Sequence, residues 1–365
     1  MRIMIKQLIR KPIFNIPEIN WGDIPSNQGA RLLWGENPIA PKEAILAIKD
    51  EAKKINFYPN PTKLSLRKQL AKYNRVSLEN IILTNGSDEA IELIAKVFIS
   101  EKDQVVIPIP TFPVYNSVSL MMVSEVKMIL LEKDFSLNIQ KLLKKVNPKT
   151  KVIWIANPNN PTGNILLSQK QIENLAKKLD CLLVIDECYF ELSQVTATSL
   201  INKYPNIIVI RSFSKVFGLA GARLGYIITN KLTASYLNRL QFVNQVFSVN
   251  RFAQAAANAI LKNEYRIQQL ITEYSTQKQN FEKLLYQVKG IQVIPTKTTF
   301  CLLKLTGGNT TSSELKEKLQ RENIYIKDCS IYQLLGSEYV YLGVPIKKYQ
   351  QRVAKAIKNI LEEKL

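Results

Sequence analysis

Short runs of β-branched and apolar residues alternate with amphipathic helical patterns through the middle of the chain, and this alternation limits the folds open to it. Helices are predicted at 88–99 and 169–179, where apolar residues recur every three or four positions. Strands are predicted at 105–109, 152–156, 182–186, 207–211 and 226–229. Such alternation builds an α/β fold, in which helices cover both faces of a mostly parallel sheet and ligands bind at the carboxyl ends of its strands.

The pattern changes after about residue 245. A mostly helical stretch at 251–289 is followed by predicted strands at 299–305 and 339–344, a helix at 312–321 and a final amphipathic helix at 347–363. We therefore expect three parts: an N-terminal arm at 1–35, a large domain at 36–245 and a smaller C-terminal α+β domain at 246–365.

The chain has 365 residues and contains no histidine. This excludes histidine metal sites, serine–histidine triads and histidine general bases. Proton transfer would fall to lysine, tyrosine, cysteine or a carboxylate. The four cysteines include no C-x-x-C pair, so we expect buried free thiols and no metal site.

The formal net charge of +20 raises the question of nucleic-acid binding. The lysines are spread through predicted helices and form no long basic tract, so a solvated basic surface is the prediction and no nucleic-acid partner is expected. No apolar run approaches the roughly 18 residues of a membrane span. The basic N-terminal segment lacks the apolar core of a secretory signal, which favours a cytoplasmic protein.

Lys215 stands in the most informative segment, S-F-S-K-V-F-G-L-A-G-A-R-L-G-Y at 212–226. A lysine directly after a predicted strand, flanked by the hydroxyls of Ser212 and Ser214, suits an amine that forms an imine beside a phosphate. Arg223 offers a guanidinium fork for the same phosphate. The alternative is a glycine-rich loop that carries a solvated lysine.

Asp186 ends an apolar predicted strand in the segment L-V-I-D-E-C-Y. An acid at this place is costly unless it has a partner, and a protonated pyridine nitrogen is a suitable one. The carboxylate would keep such a ring able to accept electrons. Tyr189 could hydrogen-bond the hydroxyl of the ring. The alternative is an aspartate that caps the next helix.

Three further segments are consistent with the same cofactor. The turn N-P-N-N-P-T-G at 157–163 could place the amide of Asn160 on the ring oxygen, although a plain tight turn explains it too. The segment N-G-S-D at 85–88 opens a predicted helix, whose first N–H groups suit a phosphate or need only an ordinary N-cap. Phe112 could stack on a flat ring and Tyr58 could donate to phosphate, but each alone is more typical of packing.

The motifs occur in a fixed order, namely Y-P-N-P, N-G-S-D-E-A-I, P-T-F-P-V-Y, N-P-N-N-P-T-G, V-I-D-E-C-Y and S-F-S-K. In this order they resemble the fold-type-I pyridoxal 5′-phosphate (PLP) enzymes. Among these the chain is most similar to the histidinol-phosphate aminotransferase group and its relative, threonine-phosphate decarboxylase. The resemblance runs from about Gly35 to the end of the chain.

The resemblance implies that PLP is bound to Lys215 as a Schiff base, with Asp186 on the pyridine nitrogen. It implies further that Asn160 and Tyr189 hold the 3′-oxygen and that Phe112 stacks on the ring. The phosphate would be held by Gly86, Ser87, Ser212, Ser214 and Arg223. Tyr58 would reach the phosphate of the partner subunit in a homodimer.

The substrate side departs from the family pattern, which reads like R-D-C-S and then Y-L-R-I-x-V-G. This chain has K-D-C-S from Lys327 and then Y-V-Y-L-G-V at 339–344. Tyr341 therefore stands where the family has an arginine that grips the substrate, and arginine is not interchangeable with lysine or tyrosine. The substrate residues that we predict are Asn37, Lys327 and Tyr341.

The favoured function is amino-group transfer on a small amino acid or amino-phosphate, with a substrate that differs from the family's usual one and with Lys215 as the proton shuttle. The same lysine could drive elimination and cyclisation of a hydroxylated amino acid in a natural-product pathway, or serve a decarboxylase. A non-catalytic PLP-fold binding protein is a weaker alternative.

Overall fold

The structure is a computed structural model, and it describes residues 5–16, 29–307, 310–329 and 332–362. Its strands are β1 (Ala30–Leu32), β2 (Ile81–Thr84), β3 (Gln104–Ile109), β4 (Glu125–Leu130), β5 (Thr150–Ala156), β6 (Leu182–Asp186), β7 (Ile207–Ser212), β8 (Gly225–Thr229), β9 (Ile291–Ile294), β10 (Phe300–Leu305), β11 (Ile324–Asp328) and β12 (Tyr339–Gly343). Two stretches of the predicted N-terminal arm, 1–4 and 17–28, lie outside the described residues, as does the predicted end of the last helix at 363.

Helices pack around two sheets. They are α1 (Lys42–Glu51), α2 (Leu64–Asn74), α3 (Gly86–Phe98), α4 (Val114–Met121), α5 (Ile139–Lys145), α6 (Gln169–Lys178), α7 (Phe190–Ser193), α8 (Lys231–Asn244), α9 (Arg251–Leu261), α10 (Glu264–Leu285), α11 (Ser312–Arg321) and α12 (Lys347–Glu362). None of the helices within the described ranges is long and apolar enough to cross a membrane.

The larger sheet has seven strands in the order β2-β8-β7-β6-β5-β3-β4. The strands β7, β6, β5, β3 and β4 pair in parallel, and β8 is antiparallel to both of its neighbours. Alternate side chains of a strand face opposite sides of a sheet. Leu183 and Ile185 accordingly pack in one apolar core and Val184 in the other. The two apolar faces explain why helices cover both sides, as the alternating sequence pattern predicted.

The smaller sheet has five strands in the order β1-β11-β12-β10-β9. Ile324 and Ile326 of β11 point into an apolar core, whereas Tyr341 of β12 belongs to a cluster of aromatic side chains on the other face. The edge strand β1 pairs in parallel with β11. This strand lies within the predicted N-terminal arm, and it brings the start of the chain to a sheet that is otherwise built from residues after 290.

Candidate active site

A cavity of about 600 Å³ lies beyond the carboxyl ends of β5, β6 and β7, with residues of the smaller sheet on its other side. Most of the predicted site residues line it, although they come from segments far apart in the sequence. They are Ser87, Phe112, Asn160, Asp186, Tyr189, Ser212, Ser214, Lys215, Arg223, Lys327 and Tyr341.

Lys215 follows β7 and points its amine into the cavity. Its Nζ donates a hydrogen bond to the backbone carbonyl of Trp34 at 2.8 Å and lies 5.3 Å from the ring centroid of Tyr189. Burial lowers the pKa of Lys215, while the nearby Cys188 and Glu36 act in the opposite direction. A lowered pKa leaves more of the amine in its neutral, nucleophilic form.

Asp186 is the last residue of β6, and its carboxylate is fixed by two donors. The hydroxyl of Tyr115 donates to Oδ2 at 2.7 Å, and the backbone N–H of Cys188 donates to Oδ1 at 3.0 Å. Burial raises the pKa of Asp186, and the hydrogen bonds from Cys188 and Tyr115 oppose the rise. A buried carboxylate that faces a cavity in this way is suited to a cationic partner.

The start of α3 and Arg223 form a concentration of anion-binding groups at one end of the cavity. A Cβ added to Gly86 would lie 2.6 Å from Nη2 of Arg223, so the guanidinium sits directly over the first residue of the helix. The side chain of Asn85 forms no capping hydrogen bond to the helix. Arg223 also pairs with Asp88 at 2.7 Å. The first N–H groups of a helix, beside a guanidinium, suit a phosphate.

These groups fit PLP. The fit rests on three groups that meet in one cavity: a half-buried amine at Lys215, a buried carboxylate at Asp186 and anion-binding groups at Gly86 and Arg223. Phe112 and Tyr189 supply aromatic walls between them. Of the residues that the structure describes, no three cysteine, aspartate or glutamate side chains come together as a metal-binding group.

The side of the cavity formed by the smaller sheet contains Lys327 and Tyr341, which were predicted to contact the substrate and which lie opposite each other on β11 and β12. Nζ of Lys327 donates to the hydroxyl of Tyr332 at 2.7 Å, and that hydroxyl lies 3.3 Å from Oδ1 of Asn160. Burial lowers the pKa of Lys327 to about 8, and the charge of Lys215 contributes in the same direction. Within the described ranges no acidic side chain forms an ion pair with Lys327.

Two predicted site residues lie elsewhere. The amide of Asn37 donates to the carbonyl of Val216 at 2.9 Å, and the residue lines a separate pocket beside α10. Tyr58 is 76% exposed and stacks on Phe247 with 4.3 Å between ring centroids. Both roles, a substrate contact for Asn37 and a phosphate contact for Tyr58, stay predictions.

Arg31, Trp34 and Glu36 line the cavity and were not predicted. The first two lie in the predicted N-terminal arm, where no cofactor motif marks them. The local signal for a short strand was the apolar–polar alternation in A-R-L-L, before the turn at W-G-E. That segment is too short to establish the two-residue period of a strand. Tyr115 was missed although its motif, P-T-F-P-V-Y, was noted for Phe112.

Comparison with known proteins identifies the family of the chain. The family model "Aminotransferase class I and II" matches residues 29–348. The histidinol-phosphate aminotransferase of Methanocaldococcus jannaschii is 34% identical over 333 residues, which are 90% of this chain and 87% of that protein. Its counterpart from Methanosarcina mazei is 31% identical, over 98% of this chain and 97% of that protein.

Solved structures share the fold. The histidinol-phosphate aminotransferase from Clostridium acetobutylicum matches with a TM-score of 0.82 and 24% identity, over 91% of this chain and 99% of that chain. The L-threonine-O-3-phosphate decarboxylase from Porphyromonas gingivalis matches with a TM-score of 0.76 and 28% identity over the same shares. The chain therefore belongs to the class I and II aminotransferase family and is a PLP-dependent transferase of fold type I.

Proposed function

We propose that the enzyme transfers the amino group of an amino acid or amino-phosphate, as enzymes of the histidinol-phosphate type do, but acts on a different substrate. The observation that carries the proposal is the contrast between the two sides of one cavity. On the proposed cofactor side, hydrogen bonds hold the half-buried amine of Lys215 and the buried carboxylate of Asp186 in place. On the substrate side, a lysine and a tyrosine stand in place of the family's arginines.

On the cofactor side, Asp186 would hold the ring nitrogen, and Asn160 and Tyr189 the ring oxygen. Ser87, the backbone of Gly86 and Arg223 would hold the phosphate, together with Ser212 and Ser214. When bound, the cofactor supplies an electron-accepting ring that acidifies the α-proton of an amino substrate.

Lys215 is the residue proposed to move the proton. Once a substrate amine has taken its place, Nζ would be free, and the carbonyl of Trp34 is within hydrogen-bond distance to hold it inside the cavity. The lowered pKa of Lys215 suits a group that must accept and return a proton near neutral pH.

The test is incubation of the cofactor-loaded enzyme with a panel of amino acids and amino-phosphates, scored by the visible absorbance of the cofactor and by the products. Amino-group transfer predicts conversion of the cofactor to its amine form, release of a keto acid, and reversal by an added keto acid. Release of ammonia or water without a keto acceptor would instead identify elimination or cyclisation, as in a natural-product pathway. Release of carbon dioxide would identify decarboxylation.

Tyr58 favours a homodimer as the active form. It lies beside Phe57 and Phe247, and the exposed fractions of these three aromatic side chains run from 40% to 76%. Surfaces of this kind are typical of protein interfaces. Tyr58 is absent from the residues that line the cavity of its own chain, so the proposed phosphate contact would be made in a second copy.

Mixed dimers test this proposal. Lys215→Ala and Tyr58→Phe each damage one component of the site, and the two variants are refolded or co-expressed together. If Tyr58 acts across the interface, a mixed dimer contains one undamaged site and regains activity that neither variant has alone. If Tyr58 acts in its own chain, no undamaged site forms and activity stays at the level of the separate variants.

All four cysteines are free and buried. Persisting free thiols are typical of a reducing compartment, which supports the proposal that the enzyme works in the cytoplasm.

A further inference from the structure

We propose that Arg31, on the N-terminal strand β1, forms with Lys327 a two-cation site for an anionic group of the substrate, either a carboxylate or a phosphate monoester. The proposal rests on the proposed amino-transfer function only in naming the bound molecule as the substrate. No motif and no resemblance to the family assigns this role to Arg31.

The register of the smaller sheet places the two cations on one face. Arg31 of β1 lies opposite Tyr325 of β11, and Lys327 follows two residues later on the same side of that strand. Tyr341 of β12 lies opposite Lys327. Arg31 is therefore diagonally across from Lys327 on the same face of the sheet as Lys327 and Tyr341, and all three side chains line the cavity.

Two neighbours hold the guanidinium of Arg31 in place without engaging all of its N–H groups. Its Nη2 lies 3.2 Å from Oε1 of Glu36, and its Cζ lies 5.1 Å from the ring centroid of Trp34. No other hydrogen bond occupies the guanidinium among the described residues, and a third of the side chain is still exposed, at 34%. Glu36 and Trp34 thus fix the plane of the group and leave N–H donors for a ligand.

Lys327 supplies the second charge from the neighbouring strand. Its amine has a tyrosine hydroxyl as its partner and no carboxylate, in the part of the chain that the structure describes. A half-buried ammonium without a counter-ion carries a desolvation cost, and an anionic ligand would lower that cost. Among the described residues, Glu36 is the carboxylate that pairs with Arg31, and it does so through Oε1.

In this proposal Arg31 and Lys327 together bind the anionic group that one arginine binds in the family pattern. Tyr341 cannot bind an anion with two parallel N–H donors, but Arg31 can. Lys327 adds a point charge without fixed geometry. The anion would therefore be recognised one or two strands away from the position that the family pattern indicates.

The experiment titrates the cofactor-loaded enzyme with two probes, maleate and inorganic phosphate, at constant ionic strength, and measures binding by calorimetry. The variants are Arg31→Gln, Arg31→Lys and Lys327→Gln. The matched control is Arg239→Gln, because Arg239 also stacks on an aromatic ring, that of Tyr236, but does not line the cavity. Chloride replaces the probes in a blank titration.

We expect saturable binding to the unmodified protein and a dissociation constant raised about tenfold or more by Arg31→Gln and by Lys327→Gln. Arg31→Lys should give an intermediate dissociation constant. It also provides a second test of Arg31 if the Arg31→Gln variant does not fold. Arg239→Gln should bind both probes normally, and all variants should keep the cofactor's visible spectrum. The probe that binds more tightly identifies the carboxylate or the phosphate as the preferred group.

The proposal is overturned if neither probe binds, if Arg31→Gln binds as well as the unmodified protein, or if Arg239→Gln weakens binding equally. These outcomes are separate from the fate of the proposed function. If no amino compound converts the cofactor, amino-group transfer fails, while the titrations still decide whether Arg31 and Lys327 bind an anion.

Discussion

A Cβ added to Gly35 would lie 2.4 Å from the hydroxyl of Tyr341. Real Cβ atoms do not approach oxygen so closely, and Gly35 has φ at +61°, where L side chains are rare. The hydroxyl of Tyr341 thus occupies the space that a side chain at position 35 would need. Gly35 is joined to Trp34, whose carbonyl accepts the hydrogen bond from Lys215.

This contact predicts coupling between the two positions. We expect Gly35→Ala to lower turnover at least tenfold, because the added methyl would displace the segment that holds the amine of Lys215. Tyr341→Phe removes the hydroxyl. In that background Gly35→Ala should lower turnover clearly less, although the strained φ remains. Steady-state rates of the four proteins give the coupling energy. Equal losses in both backgrounds would contradict the predicted contact.

Lys215→Ala should bind PLP without the visible absorbance that borohydride bleaches, and it should show no turnover, because the imine-forming amine is gone. Lys327→Ala is the control within the same cavity and should keep the absorbance. Absorbance spectra recorded before and after borohydride treatment show whether each variant forms the imine. An unchanged, bleachable spectrum in Lys215→Ala would remove Lys215 from the site.

Asp186→Asn keeps the size of the side chain but removes the charge that would face the ring nitrogen. We expect turnover to fall by about 100-fold or more, since the ring would lose its proton and accept electrons poorly. Tyr115→Phe removes one hydrogen bond to the same carboxylate and should cost far less. Both rates are measured with saturating cofactor. A larger loss for Tyr115→Phe than for Asp186→Asn would argue against the role of Asp186.

Anion binding should weaken as the pH rises, because burial lowers the pKa of Lys327 to about 8. Only the protonated amine attracts an anion, so affinity is full well below pH 8 and falls as the proton is lost above it. Burial raises the pKa of the neighbouring Tyr332 and Tyr341, and that of Cys329 to about 12, so these groups stay neutral across the same interval.

The measurement is the dissociation constant of maleate as a function of pH, with the cofactor spectrum recorded at each point. Lys327→Gln should give a flat profile through pH 8 where the unmodified protein loses affinity. A pH profile that is the same in both proteins would assign the titration to another group, such as Lys215.

Glu187 and Arg211 form a fully buried ion pair, with 2.7 Å between Oε2 and Nη2. Glu187→Ala would leave the guanidinium without its counter-charge, and we expect the free energy of unfolding to fall by about 3–5 kcal/mol. Asp50→Ala removes an exposed ion pair with Lys53 and should have no measurable effect. Urea unfolding followed by circular dichroism compares the two. A small loss for Glu187→Ala would show that water or rearrangement compensates the charge.

The sequence was informative wherever a local pattern is strong. The strand at 182–186 is β6 to the residue, and the helix at 312–321 is α11, because an unbroken apolar run and a regular amphipathic face are both encoded by neighbouring residues. Lys215 and Asp186 could be singled out for the same reason, since Asp186 ends such a strand and Lys215 comes shortly after another.

What could not be predicted depends on contacts between distant segments. The strand β1 has three residues, and only its pairing with β11, almost the length of the chain away, makes it a strand. The place of Arg31 in the cavity follows from that pairing. The stretch predicted as mostly helical at 251–289 is two helices, α9 and α10, because Asn263 caps the second one.

The pairing of β1 with β11 also affects how the protein should be handled. A shortened chain that begins at residue 36, the first residue of the expected large domain, would retain Lys215, Asp186 and Arg223 but would lack Arg31. Such a protein would still turn yellow with PLP, but it would lack part of the proposed binding site for the substrate's anionic group. The yellow colour therefore reports cofactor binding but does not show that the proposed anion site is present. For the same reason, fusion tags should not be placed close to β1.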